Sequence, residues 1–377
     1  MYQKKAHENN ENNVFRYVFY SKNNFVINDI SENLDISFPT AKKIVNSFLE
    51  KEIIFEEKKV GNGVGRKAME YSFNDFFCYS IGVRITKNSA GIILTNAKGI
   101  IIKEKTEFFL DTVEIQNEFL NLIKTFIKGL SNNITDKLIG IGISVPGIIS
   151  KEDEFIEFSS HTKVHLSFIN QMRDELKFPV FMENESNLAS IAEGFLTKHS
   201  ACSLFTVLTI NDYVGISNFQ QENLKKDFYF KAGRLHHMIV ESGGRLCECG
   251  SKGCWGAYVS DKSLLSDFQK VFPNIKNFGE IFVGKYTDTK DGKKILDNYI
   301  KYLAVGIKNI LFFSNPEKLI ISGKICFYKD IIREQLLDEI YKDHIFYRGR
   351  ETVVFSNFND NSIIIGAAMF PIIDNLF

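Results

Sequence analysis

Three cysteines and one histidine constrain this chain more than any other feature. Cys247, Cys249 and Cys254 form a Cys-x-Cys-x4-Cys cluster, and His237 precedes the first of them by ten residues. Four soft donors at that density can close a tetrahedral shell on Zn²⁺, and Gly250 and Gly253 let the loop curl until the sulfurs converge. A histidine plus three thiolates fills every position, whereas a catalytic zinc keeps one for water, so the expected Zn²⁺ is structural. Such a shell carries a net charge of about minus one, and the flanking Arg245 and Lys252 are expected as its outer partners. The alternative is three reduced cysteines that merely lie close, an arrangement that is rare without metal.

Size and charge set the outer bounds. At 377 residues the chain is long for one domain and comfortable for two or three, each with its own core. Lys plus Arg and Asp plus Glu both number 46, so no global positive field announces a nucleic-acid partner, and any DNA contact must come from a local patch. Cys78, Cys202 and Cys326 stand singly in apolar stretches and read as reduced core residues, which points to a reducing cytoplasm. Met1 to Asn13 is polar, and no apolar run approaches the ~20 residues of a membrane span. A cytoplasmic protein with no membrane partner is expected.

Residues 1–75 read as a unit of their own. Val14, Phe15, Val18 and Phe19 mark a first amphipathic helix, and Ile27 to Leu34 a second with Asn28 or Asp29 near its start. After the turn Asp35-Ile36-Ser37 comes a third. Ser37 can cap it, Pro39 fits its first turn, and Ala41, Ile44, Val45 and Phe48 recur at helical spacing. Burial of that stripe turns Phe38, Thr40, Lys42 and Lys43 outward. Ile53 to Lys59 then pairs with Ala68 to Phe73 across a glycine-rich tip that ends in Arg66 and Lys67. Three helices and a hairpin make a winged helix-turn-helix, whose third helix would lie in the DNA major groove while Arg66 and Lys67 hold phosphates or enter the minor groove. Charge over these residues balances, so a purely protein-binding role is the competing reading.

From about residue 76 the pattern is α/β. Tyr79 to Ile85, Gly91 to Thr95 and Ile100 to Lys105 read as a strand meander, Val113 to Leu130 as a helix, and Leu138 to Val145 as a buried strand. A second strand-rich set runs from Leu204 to Phe219. The cysteine loop and a helical stretch then lead to a strand at Leu319 to Ser322. Two α/β lobes around a cleft follow, although no internal repeat is visible in the sequence.

Several of these segments resemble one family. Gly233 to Met238 with Cys247 to Cys254, Gly140 to Gly147, Glu183 to Asn187, Asn315-Pro316-Glu317 leading to Ile320 to Gly323, and Gly366-Ala367-Ala368 are similar to the ROK family (repressors, open reading frames, sugar kinases). The resemblance covers nearly the whole chain. It implies an α/β, two-lobed actin-like sugar-kinase fold, with the winged helix at 1–75, a first lobe at 76–187 to which 360–377 returns, and a second lobe with the zinc loop at 188–359. Family kinases lack the winged helix and family repressors have it. The resemblance therefore implies a transcriptional regulator of carbohydrate-related genes, a dimer or tetramer on a double-stranded DNA operator.

It also bears on catalysis. Kinases of the family carry Asp-x-Gly-Gly-Thr where this chain reads Gly82-Val83-Arg84-Ile85-Thr86-Lys87, so Arg84 stands in the place of the acid. The second phosphate loop is replaced around Asn211-Asp212-Tyr213 and the third glycine cluster by Ser322-Gly323-Lys324. Glu185 occupies the position of the general-base Asp, as a vestigial base. The expected result is a non-enzyme; a working sugar kinase with an added helix-turn-helix is the rival.

For the effector, the resemblance points to Asn184, Glu185, Arg234 and His237. Arg234 replaces a family acid, His236 a glycine, and Gly256 a second acid. A guanidinium in that place favours a sugar phosphate or sugar acid over a neutral sugar. The alternatives are an empty pocket with Arg234 paired to Glu185 or Glu241, and a regulator governed by a protein partner.

Overall fold

The computed structural model describes residues 2–21, 23–60, 68–86, 89–108, 115–145, 147–150, 155–158, 163–165, 167–197, 202, 204–221, 228–343 and 348–376. The amino-terminal unit runs α1 (Tyr2–Tyr20), β1 (Phe25–Val26), α2 (Ile27–Leu34), α3 (Phe38–Glu50), β2 (Ile54–Val60) and β3 (Ala68–Phe73), with its strands in the order β1-β3-β2. Val14, Phe15, Val18 and Phe19 of α1 are buried, as are Ala41, Ile44, Val45 and Phe48 of α3. Both helix starts are closed locally. The Val26 N–H donates to Asp29 Oδ2 at 2.8 Å, and the Thr40 N–H donates to Ser37 Oγ at 3.3 Å, a cap of the kind that contributes about 1 kcal/mol. Asp35, with φ of 50°, ends α2 in the left-handed region and sets the turn into α3. The wing tip, with Arg66 and Lys67, lies outside the described residues.

The first lobe follows with β4 (Tyr79–Ile85), β5 (Ser89–Asn96), β6 (Ile101–Phe108), α4 (Ile115–Lys128), α5 (Asn132–Thr135) and β7 (Leu138–Val145). A small antiparallel sheet of β8 (Gly147–Ser150), β9 (Phe155–Phe158) and β10 (Lys163–His165) leads to α6 (Ser167–Leu176), β11 (Val180–Asn184) and α7 (Glu185–Leu196). The second lobe holds β12 (Leu204–Ile210), β13 (Val214–Gln221), β14 (Phe228–Gly233), α8 (Gly256–Val259), α9 (Asp261–Val271), α10 (Phe278–Val283) and α11 (Lys290–Ser314). It continues with β15 (Lys318–Gly323), α12 (Lys329–Tyr341) and β16 (Val353–Phe355), and α13 (Ser362–Leu376) closes the chain.

The main sheets are ordered β11-β7-β4-β5-β6 and β14-β13-β12-β15-β16. In each, an antiparallel meander of three strands is extended by two parallel strands beside its first strand. Helices α7 and α13 pack on one another; α13 also covers β4 and β7, while α7 covers β12 and β13. Their approach needs two glycines. A Cβ on Gly142 of β7 would lie 1.9 Å from the Ala367 carbonyl oxygen, and one on Gly366 would lie 1.8 Å from that of Leu188.

Three features depart from the sequence expectation. Strand β14 extends the second set beyond Phe219, because the run Phe228-Tyr229-Phe230 takes its strand state from its register with β13 rather than from any alternation of its own. The sequence suggests a helix starting near Asn187, but α7 begins at Glu185, because Asn184 caps it. The sheet of β8, β9 and β10 was not anticipated.

Candidate functional site

The cysteine loop folds back on itself as a short ribbon. Leu246 bridges Lys252 and Ile239 bridges Cys254, while the Cys247 N–H donates to the Ser251 oxygen at 2.8 Å. Gly253 sits at φ of 87°, and a Cβ there would lie 1.8 Å from the Glu241 carbonyl oxygen, so the turn requires glycine. The ribbon brings ligand atoms of His237, Cys247, Cys249 and Cys254 within 4.8 Å of one another. Cys247 Sγ is 3.7 Å from His237 Nδ1, and Cys249 Sγ is 3.7 Å from Cys254 Sγ. With metal–sulfur bonds of about 2.3 Å, the edge of a tetrahedron is about 3.8 Å, so the donor set and its spacing fit one tetrahedral metal ion. Arg245 does not serve the cluster as expected. Its guanidinium pairs with Asp267 at 2.8 Å, donates to the Ala257 oxygen and lies over the Tyr258 ring, because α9 packs against that side of the ribbon.

The cleft is organised by a different side chain. Arg84, at the end of β4, donates from Nε to Glu185 Oε1 at 3.1 Å and from Nη1 to Asp360 Oδ1 at 2.9 Å and the Asp360 carbonyl at 3.2 Å. With the Asn211 carboxamide turned to suit both neighbours, its oxygen accepts from Arg84 Nη2 at 3.1 Å and its nitrogen donates to Asp360 Oδ1 at 3.0 Å. One planar fork thus joins β4, the first residue of α7, the segment before α13 and the β12–β13 turn. Burial opposes the charge on Arg84, but Glu185 and Asp360 together hold its pKa above the ordinary value. Burial pushes Glu185 upward, against the pull of Arg84.

Around the fork several polar groups pair with one another, whereas both carboxylate oxygens of Asp261 and the Ser144 hydroxyl are buried without a hydrogen-bond partner among the described residues. Asn184 Oδ1 accepts from the Ser186 N–H at 2.9 Å, capping α7. Ser322 Oγ meets Ser362 Oγ at 2.5 Å and the Asn359 oxygen at 3.1 Å, while Gly323 at φ of 122° leaves no room for a Cβ against the Ile210 oxygen. Asp261, at the start of α9, is pushed up to about 7 by burial, with Lys324 3.7 Å away.

Arg234 is exposed, just before the short helical turn Leu235–His237. The alternative pairing with Glu185 or Glu241 has competitors at both acids: Glu185 takes Arg84, and Glu241 accepts from Tyr302 Oη at 3.2 Å. His236 had no assigned role from sequence beyond replacing a glycine. Its Nδ1 accepts from the Val214 N–H at 3.2 Å, and its ring stands where a side chain at 256 would go, 2.0 Å from the Cβ position of Gly256. Burial, with His237 beside it, lowers its pKa to about 4, so the ring is neutral. A cavity of about 250 Å³ opens beside it, lined by Asp212, His236, Glu248, Gly256, Ser260 and Lys262 among others. None of Asn184, Glu185, Arg234 and His237 lines it. A complementary pattern in positions 236 and 256 was the signal that sequence offered and only packing could interpret.

In the amino-terminal unit α3 turns Phe38, Lys42 and Lys43 to solvent, with Thr40 half-buried. Its amino terminus is therefore open to a groove-shaped partner. No helix among the described residues is long and apolar enough to cross a membrane.

Two lobes of repeated topology around a polar cleft, with a ribbon on one whose His and Cys side chains could hold a metal and a winged helix ahead of both, define the repressor architecture of the actin-like sugar-kinase scaffold. The pattern of the ROK family matches residues 80–372, and the chain belongs to that family. The xylose repressor of Bacillus spizizenii is 26% identical over 313 residues, spanning 82% of this chain and 81% of that protein. A ROK family transcriptional regulator homologous to the Escherichia coli Mlc protein superposes with a TM-score of 0.79 at 18% identity, covering 98% of both chains. A ROK family glucokinase from Streptomyces griseus, solved with glucose and AMPPNP, superposes with a TM-score of 0.63 at 18% identity over 77% of this chain and 98% of its own.

Proposed function

We propose that this chain is a cytoplasmic, sugar-responsive transcriptional repressor that binds an operator as a dimer or larger homo-oligomer and carries one structural Zn²⁺ on His237, Cys247, Cys249 and Cys254. The observation that carries the reading is the Ser37-capped α3, which exposes Phe38, Lys42 and Lys43 at its amino-terminal end on a chain whose lobes are of the ROK family. Phe38, Thr40, Lys42 and Lys43 meet base edges; Arg66 and Lys67 hold the backbone; paired half-sites multiply the specificity of each short helix. Residues 1–75, 76–187 with 360–377, and 188–359 are the three working units. The relative named a xylose repressor makes a pentose the first effector to try, with sugar phosphates and sugar acids beside it, and Asn184, Glu185, Arg234 and His237 as the residues to receive it.

Kinase activity is the second reading, and Arg84 argues against it. Its guanidinium already holds Glu185, the carboxylate that would have to serve as base, and it stands where a phosphate-bound Mg²⁺ would need an acid. The test is a salt-titrated anisotropy assay on duplexes from the gene's upstream region. Lys43→Ala is expected to cost about 1–3 kcal/mol at its preferred site and relax discrimination, and Arg66→Ala to weaken all sites and flatten the salt dependence. Specific binding that survives removal of residues 1–75 would refute the winged-helix assignment. Magnesium-dependent ATP consumption stimulated by a hexose would restore the kinase.

A further inference from the structure

The winged helix shares its core with the lobes. Phe15, Phe19 and Phe25 belong to the same apolar cluster as Ala97, Leu188, Ala368 and Ile372. The turn between β5 and β6, residues 96–99, stands at the centre of that contact. It is stiffened from within: Asn96 Oδ1 accepts from the N–H groups of Lys98 at 3.1 Å and Ile100 at 3.0 Å. On one side Gly99, at φ of 71°, is wedged against both interlobe helices, since a Cβ there would lie 2.5 Å from Leu196 Cδ1 of α7 and 3.3 Å from Met369 Sδ of α13. On the other side the Ala97 N–H donates to the Asp75 oxygen at 3.0 Å, and Lys98 Nζ donates to the carbonyl of Phe19. The ammonium lies over the rings of Phe19 and Phe73, 4.2 Å and 4.6 Å from their centroids. Burying an ammonium costs free energy unless its contacts are kept, so the lysine favours one docked arrangement over its neighbours.

Helix α7 begins in the Arg84 fork and ends against Gly99, while α13 begins just beyond Asp360 of the same fork. A shift of one lobe against the other moves these two helices, and the turn touches both. We propose that the β5–β6 turn is the joint through which the arrangement of the lobes reaches the winged helix, with Lys98 as its pin. The proposal rests on the regulator reading for its purpose, and coupling through the joint must act equally in both directions.

The experiment uses the full, metal-loaded chain and follows hydrogen exchange of α3 and α13 across a urea series. In the wild type the two helices are expected to lose protection together. In Lys98→Ser, α3 should lose it at about 0.5 M lower urea while α13 stays unchanged, and Lys98→Arg should restore much of the coincidence. Separate loss in the wild type, or unchanged coincidence in Lys98→Ser, would overturn the joint. A second arm adds a duplex that the protein itself selects from its upstream region. Binding should slow exchange in the last turn of α7 in the wild type and not in Lys98→Ser, with the variant's affinity for the duplex retained. Equal slowing in both would overturn transmission through Lys98. Absence of DNA binding by the wild type would refute the regulator reading instead, and the urea arm decides the joint without DNA.

Discussion

Both lobes build a meander of three strands and add two parallel strands beside the first, yet they are fastened by different chemistry. In the second lobe the segment after β14 is a ribbon that gathers His237, Cys247, Cys249 and Cys254, with Trp255 buried directly behind it and donating to the Tyr302 oxygen at 2.8 Å. In the first lobe the segment after β6 leads to α4, whose Phe119, Leu120, Leu122, Ile123 and Phe126 are packed into an apolar core. The equivalent first hairpins then meet at the cleft: Arg84 comes from the β4–β5 hairpin and Asn211 from the β12–β13 hairpin. One backbone plan thus carries a His/Cys3 cluster with metal-site spacing in one copy, apolar packing in the other, and an ion-paired fork where the copies meet.

The strongest way to break this contrast is to remove the metal. Metal analysis should find one zinc per chain, and Cys249→Ser should lose it, because thiolate–zinc binding contributes on the order of 10 kcal/mol in small zinc domains. Trp255 fluorescence should report a loosened ribbon while exchange in the β4–β5–β6 meander stays slow; zinc-free wild type with native fluorescence would remove the contrast.

Next in size is the fork. Arg84→Leu leaves Glu185 and Asp360 partly buried without their cation and is expected to cost about 3 kcal/mol in urea unfolding. Combining it with Asp360→Asn should recover part of that cost. Strict additivity of the two substitutions would mean that the pair does not couple.

Gly366→Ala tests the seam rather than either lobe. The new methyl meets the Leu188 carbonyl, so a loss of about 1–3 kcal/mol is expected, with the amide exchange of α7 and α13 rising together. A neutral result would show that the helices separate freely.

The smallest effect is electrostatic. Burial raises Glu193, in α7, to about 7, while its unfolded value is about 4.3. The neutral carboxyl is favoured in the folded state, so its contribution is complete below the unfolded value and is lost as pH rises through 7. Asp261 acts in the same direction. Unfolding free energy should fall by about 1 kcal/mol per such group between pH 6 and 8, and Glu193→Gln should remove its share. An unchanged slope in that variant would assign the pH dependence elsewhere.

Much was legible before the structure because it is local. The spacing of Cys247, Cys249 and Cys254, the stripe of Ala41, Ile44, Val45 and Phe48, and the cap at Ser37 each act within a few residues, where spacing dictates geometry. The repeat of the two sheets was not legible, since it resides in strand pairing and not in side-chain identity. Arg84 was visible as a substitution, but its partners Glu185, Asn211 and Asp360 lie on three other elements. His236 against Gly256, and Lys98 against Phe19, likewise depend on segments brought together by packing. Sequence by itself determined the His/Cys ribbon and the capped third helix, whose spacing and caps are written in neighbouring residues. Only the tertiary structure decided what fills the cleft and what ties the winged helix to the lobes, because those contacts arise where the buried faces of distant helices and strands leave no other partner.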